Sequence, residues 1–98
     1  MLENIVYLEL CRRGYSVNIG KTYNGEIDFI AEKQGDKIYV QVTREINSAE
    51  TEKREFERLL EIRDNYPKYL LTTDNFSGGN YEGIKTMHIS DFLLSEEY

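Results

Sequence analysis

Asp28, Gln41 and Thr43 are the residues whose types and spacing point to chemistry, with Glu3 as a fourth. Hard divalent cations such as magnesium take oxygen ligands, typically one or two carboxylates plus water. A metal-dependent nuclease built on two neighbouring strands would keep an acid on each to fix the metal. A lysine two residues on would then orient water and offset the charge of the pentacovalent phosphate. Here Asp28 is the first acid. Gln41 stands in the place of the second and offers a neutral amide oxygen, a weaker ligand. Thr43 stands in the place of the lysine and brings no positive charge. Glu3 could reach the same place from a helix. Arg44, Lys53 and Lys21 are the candidate stand-in cations by nearness in sequence.

These residues need a frame, and the stretch from Glu26 to Thr43 supplies it. Ile27, Phe29 and Ala31 alternate with Glu26, Asp28, Ile30 and Glu32, the period of two that marks a strand. Lys33-Gln34-Gly35-Asp36 reads as a turn, with glycine for the awkward dihedral. Ile38, Val40 and Val42 then alternate with Tyr39, Gln41 and Thr43. Both arms are β-branched and aromatic, as strands prefer. A hairpin with its apolar faces aligned places Asp28, Gln41 and Thr43 on one side of the sheet.

Around that hairpin the chain reads in order. A helix is expected over 2–13, with Leu2, Ile5, Val6 and Leu10 as its apolar stripe. Gly14 stops it, and Arg12 and Arg13 complement the dipole of its last turn. No capping residue precedes Leu2, so Met1 reads as a cut in a longer protein. A short strand over 15–20 follows, then a loop over 21–25 whose Asn-Gly pair is a turn signal. Asn47 and Glu50 resemble a capping box opening a helix of roughly 16 residues. Phe56, Leu59, Leu60 and Arg63 form its inner stripe, and its glutamates and cations form a solvated outer face. Pro67 ends that region. A strand over 68–73, a polar loop over 74–82, a strand over 84–89 and a short helix capped by Ser90 complete an α-β-β-β-α-β-β-α order. The expected fold is α/β, a mixed sheet with helices packed on it, in one domain spanning 1–98.

Composition narrows the function classes. Net charge is −6, which argues against a strong non-specific nucleic-acid binder and leaves room for a local basic patch. No apolar run approaches the roughly 18 residues of a membrane span, and no signal peptide is evident. The single cysteine, Cys11, has no internal partner and fits a reducing cytoplasm. His88 has no Cys or His at ligand spacing, so zinc is not expected. Ser77-Gly78-Gly79-Asn80 lacks the lysine and the following helix of a phosphate loop. Of the eight tyrosines, Tyr7, Tyr15, Tyr39, Tyr66 and Tyr69 read as core edges, while Tyr23 and Tyr81 fall in loops, where a partner or base can be met.

The joint order resembles a known family. The α-β-β-β-α-β succession resembles the restriction-endonuclease-like, PD-(D/E)XK nuclease fold. Glu3 ahead of Gly14-Tyr15, then Asp28, then Gln41-Val42-Thr43, is similar to its Holliday-junction-resolvase branch. Leu-Glu-Asn-Ile-Val-Tyr-Leu-Glu-Leu, Glu-Ile-Asp-Phe-Ile-Ala, Tyr-Val-Gln-Val and Asp-Asn-Tyr-Pro-Lys-Tyr look like the C-terminal domain that follows an AAA+-type ATPase module in a prokaryotic family. The resemblance runs from Leu2 to about Leu94. It implies a restriction-endonuclease-like core and an ATPase module in the same polypeptide. Glu3 and Asp28 would be retained acids, and Gln41 and Thr43 departures from the glutamate and lysine. The implied function is a catalytically degenerate accessory domain that binds nucleic acid or a protein partner, with no cofactor. The alternative is an active endonuclease using magnesium or manganese on Asp28 and Glu3.

Overall fold

The structure, a computed structural model, describes residues 2–22, 25–43, 49–62, 64–73, 79–81, 83–96 and 98. In chain order the elements are α1 (Leu2–Arg12), β1 (Ser16–Thr22), β2 (Gly25–Lys33), β3 (Asp36–Thr43), α2 (Ala49–Leu60), β4 (Lys68–Thr72), β5 (Gly79–Tyr81), β6 (Ile84–His88) and α3 (Ile89–Leu94). They form an α/β domain around one six-stranded mixed sheet of order β1-β2-β3-β4-β6-β5. The first three strands are an antiparallel meander. β3, β4 and β6 then run parallel, and β5 closes the far edge antiparallel to β6. α1 and α3 cover one face over Val6, Leu10, Phe29, Val40, Tyr69 and Phe92. α2 covers the other over Ile27, Tyr39, Phe56, Leu59, Leu70 and Ile84. Every residue of β4 is buried, as expected of a central strand covered on both faces.

Local signals explain the ends of the elements. Gly14 adopts φ +93° just past α1. Its amide donates to the Cys11 carbonyl and the Tyr15 amide to the Leu10 carbonyl, the paired bonds of a Schellman stop. Tyr15 and Leu10 then pack in the same core cluster. At the hairpin tip Gln34 and Gly35 both have positive φ, 49° and 88°, and Lys33 pairs with Asp36. That is the type I′ geometry whose twist matches its strands.

Several expectations are corrected. The segment expected as a loop over 74–82 contributes β5, because Gly79 to Tyr81 find an open edge on β6. Among the described residues α2 runs over Ala49–Leu60 and stops before Glu61, short of the roughly 16 residues expected, and its expected cap Asn47 and stripe residue Arg63 lie outside the described residues. Phe56 and Leu59 are buried as expected, and Leu60 is half-buried. In α1 only part of the expected stripe faces inward: Val6 and Leu10 are fully buried, Ile5 is 45% exposed, and the side chain of Leu2 lies outside the described residues. The cap of α3 is His88, not Ser90. The helix already begins at Ile89, so Ser90 supplies an amide, and His88 Nδ1 accepts it at 3.1 Å. Tyr15, Tyr39 and Tyr69 are buried, while Tyr7 and Tyr66 are 42% and 39% exposed. The side chains of Tyr23 and Tyr81 lie outside the described residues.

Candidate functional site

Asp28 sits in a β-bulge. On β1, Asn18 pairs with Ile30 and Gly20 with Ile27, so Ile19 alone faces both Asp28 and Phe29. An extra residue in one strand reverses the alternation beyond it. Ile27 accordingly packs in the α2-side cluster, while Phe29 and Ala31 pack under α1 and α3. The strict alternation expected for this strand, with Ile27 and Phe29 on one face, is therefore broken at Asp28. Bulges re-aim side chains and are common beside functional sites. Gly20 makes room for this one. A Cβ there would lie 2.6 and 2.9 Å from the Ile30 side chain and 3.2 Å from Ile27 Cβ.

The second strand parts from the first at the same level. The β2–β3 ladder ends at the Phe29–Val40 pair, while β3 runs on to Thr43 paired with β4 alone. Side chains bridge the gap that opens. The Asp28 amide donates to Gln41 Oε1 at 2.9 Å, and the Val42 amide donates to Asp28 Oδ2 at 2.9 Å. Gln41 is 3% exposed, so its amide oxygen is a buried acceptor satisfied by the backbone. Asp28 is half-buried. Asp28 and Gln41 thus lie together as a clasp between strands.

The remaining candidates are placed less closely. Thr43 is half-buried at the end of β3, paired with Thr72, which in turn pairs with His88. Glu3 is exposed in the first turn of α1. It lies one turn before Tyr7, whose ring is 6.2 Å from that of Phe29, the second bulge residue. Lys21 is exposed on β1 opposite Glu26. Arg44 and the side chain of Lys53 lie outside the described residues. For a divalent cation the donor set fits poorly. One Asp28 oxygen and the Gln41 oxygen are turned to backbone amides. No group of three Asp, Glu, His or Cys side chains converges among the described residues.

Two polar clusters were not foreseen. Before β4, Lys68 donates to the Asp64 carbonyl, to Asp64 Oδ1 and to the Tyr66 carbonyl, at 3.1 to 3.2 Å. Tyr39 donates its hydroxyl to Asp64 Oδ2 at 2.5 Å. Burial works to raise the Asp64 pKa, but the Tyr39 hydroxyl, the Tyr66 amide and Lys68 outweigh it and hold the carboxyl below its ordinary value. Burial and the bond to Asp64 push the Tyr39 hydroxyl far up. The available signal was the four-residue spacing of Asp64 and Lys68 around Pro67. At the end of α1, Arg13 bonds Glu9 at 2.7 Å and the Leu93 carbonyl at 3.1 Å. Its guanidinium lies 3.7 Å over the Tyr98 ring, which stacks on Phe92 at 4.0 Å. Arg12 and Arg13 together hold the Glu9 carboxyl down at about 2.

Comparison with known proteins adds one relative and no assignment. No protein-family model matches the chain. An uncharacterized protein of Haemophilus influenzae is 47% identical over 95 residues, covering 95% of this chain and 22% of that protein. The chain thus spans about a fifth of the length of the curated relative it matches. No helix among the described residues is long and apolar enough to cross a membrane.

Proposed function

We propose that this domain is a catalytically degenerate, nuclease-fold accessory module, carried in a longer polypeptide beside an AAA+-type ATPase module. It binds nucleic acid or a protein partner and does not cut. The observation that supports the reading is the clasp across the parted strands. Where a cutting site would aim two carboxylates at a metal, Gln41 Oε1 takes the Asp28 amide and Asp28 Oδ2 takes the Val42 amide. Those oxygens work as structural acceptors. Gln41 and Thr43 also lack the charges that stabilise a pentacovalent phosphate. By analogy with the loss of an oxyanion donor, each absence costs about 3 kcal/mol of transition-state stabilisation. Two such losses together correspond to a rate lower by roughly four orders of magnitude.

The test is a cleavage assay of the 98-residue chain with manganese. Its substrates are single-stranded, duplex and branched DNA, with an active manganese nuclease as the positive control and Asp28→Ala beside the wild type. The expected result is no cleavage above background by either protein. Cleavage by the wild type that Asp28→Ala abolishes would overturn the reading and make the domain a working endonuclease.

A further inference from the structure

Five cations among the described residues of this acidic chain lie near tyrosine rings. Arg13 lies over Tyr98, Lys33 over Tyr15, Lys68 over Tyr39 and Lys85 over Tyr69, at 3.7 to 5.8 Å from the ring centroids. Lys37 lies 5.7 and 5.4 Å from the rings of Tyr39 and Tyr66. Six such approaches, within the roughly 6 Å over which a ring face attracts a cation, occur among the described residues. All six gather at one end of the sheet. Lys33 and Asp36 close the hairpin, Lys68 pairs with Tyr39 and Ile84 at the starts of the parallel strands, and Arg13 follows α1. Asp28 and Gln41 lie four or five residues further along their strands, roughly 15 Å away at the usual rise.

Some of these cations serve the fold. Lys68 is committed to Asp64 and Tyr66, and Lys33 donates to the Arg13 carbonyl at 3.2 Å. Among the described residues Lys37 meets rings alone. It lines a cleft of about 270 Å³ with Lys33, Asp36, Tyr15, Tyr66 and Tyr98. Tyr66 is 39% exposed at that cleft.

We propose that this end of the sheet is a surface for single-stranded nucleic acid. Tyr66 stacks a base and Lys37 meets the neighbouring phosphate, away from Asp28. Ring faces beside cations suit unpaired bases on a charged backbone, since every base has a face to stack and every link a charge. A duplex hides those faces, and a net charge of −6 repels its denser phosphates. Asp36, exposed in the same cleft, weakens the attraction and keeps binding modest. The proposal deepens the reading above by naming the partner, and rests on it only in expecting the bound strand to stay intact.

The test is fluorescence anisotropy of a labelled oligothymidine in EDTA at low salt, each variant first shown to melt cooperatively. Wild-type binding is expected, and Tyr66→Ala should weaken it about tenfold. Lys37→Gln should weaken it and lower the slope of log affinity against log salt by about 1. Asp36→Asn should tighten it. Arg54→Gln, the same charge change on the exposed outer side of α2, should leave it within about twofold. No wild-type binding overturns the proposal, and so does an equal loss in Lys37→Gln and Arg54→Gln. Binding is read without metal, so its absence leaves the non-cutting reading intact. Manganese-dependent cleavage would leave a positive binding result intact.

Discussion

Gly20 and Asp28 are two halves of one device. The bulge turns Ile27 toward α2, and Ile27 and Ile30 then close over the position where Gly20 has no side chain. Gly20→Ala must push a methyl into contacts of 2.6 to 3.2 Å. Overpacking of this kind costs about 1–3 kcal/mol. Urea denaturation of Gly20→Ala should show that loss with an unchanged slope. A neutral result would mean that β1 and β2 re-register at little cost. The Asp28–Gln41 clasp belongs to the same level of description. Two short side chains replace two ladder bonds that the bulge and the parting of the strands remove.

Among the elements, α1 is held at its C-terminal end. The Schellman bonds stop it at Gly14, and Arg13 ties it to the Leu93 carbonyl of α3 and to the Tyr98 carbonyl. Glu9 fixes that arginine, and its carboxyl is held at about 2 by Arg12 first and Arg13 second. A folded-state value below the unfolded one stabilises the fold above the unfolded pKa. The stabilisation is lost as pH falls through the folded value. The contribution of Glu9 is therefore complete near neutrality and disappears between about pH 4.5 and pH 2. Denaturation midpoints measured across that window should fall for the wild type and fall less for Glu9→Gln. Parallel curves would show that Arg13 holds its place without Glu9.

At the scale of the molecule, two clusters on opposite faces share one sheet, and β4 runs between them. The turn before β4 is locked by Lys68, which is 8% exposed and joined to Asp64, which Tyr39 in turn reaches from β3. Lys68→Met keeps the stem and removes the charge, taking the ammonium from the Asp64 and Tyr66 carbonyls and from Asp64 Oδ1, while the Asp64 carboxylate keeps the Tyr39 hydroxyl and the Tyr66 amide. Breaking a buried pair costs about 3–5 kcal/mol, and the partial exposure of Asp64 brings the expected loss nearer 2 kcal/mol. In a domain this size that lowers Tm by roughly 8–16 °C, readable by calorimetry. A shift under about 2 °C would show that water replaces the ammonium.

Local patterns in the chain determined most of the elements and their ends. Alternation marked the hairpin arms, the Gln34-Gly35 pair its turn and Gly14 the stop of α1, because each acts within a few residues. Tertiary structure decided the rest. Ile27 and Phe29 part company only because β1 lacks a residue opposite Asp28, which no single strand records. Ile5 fits the periodic stripe of α1 but lies outside the narrower arc that meets the sheet. β5 forms because β6 offers an edge, and His88 caps α3 because the strand ends there. The candidate residues Asp28 and Gln41 could be read from spacing. The direction of their oxygens could not, because it depends on two strands parting at one level and on which backbone amides that parting leaves to be satisfied.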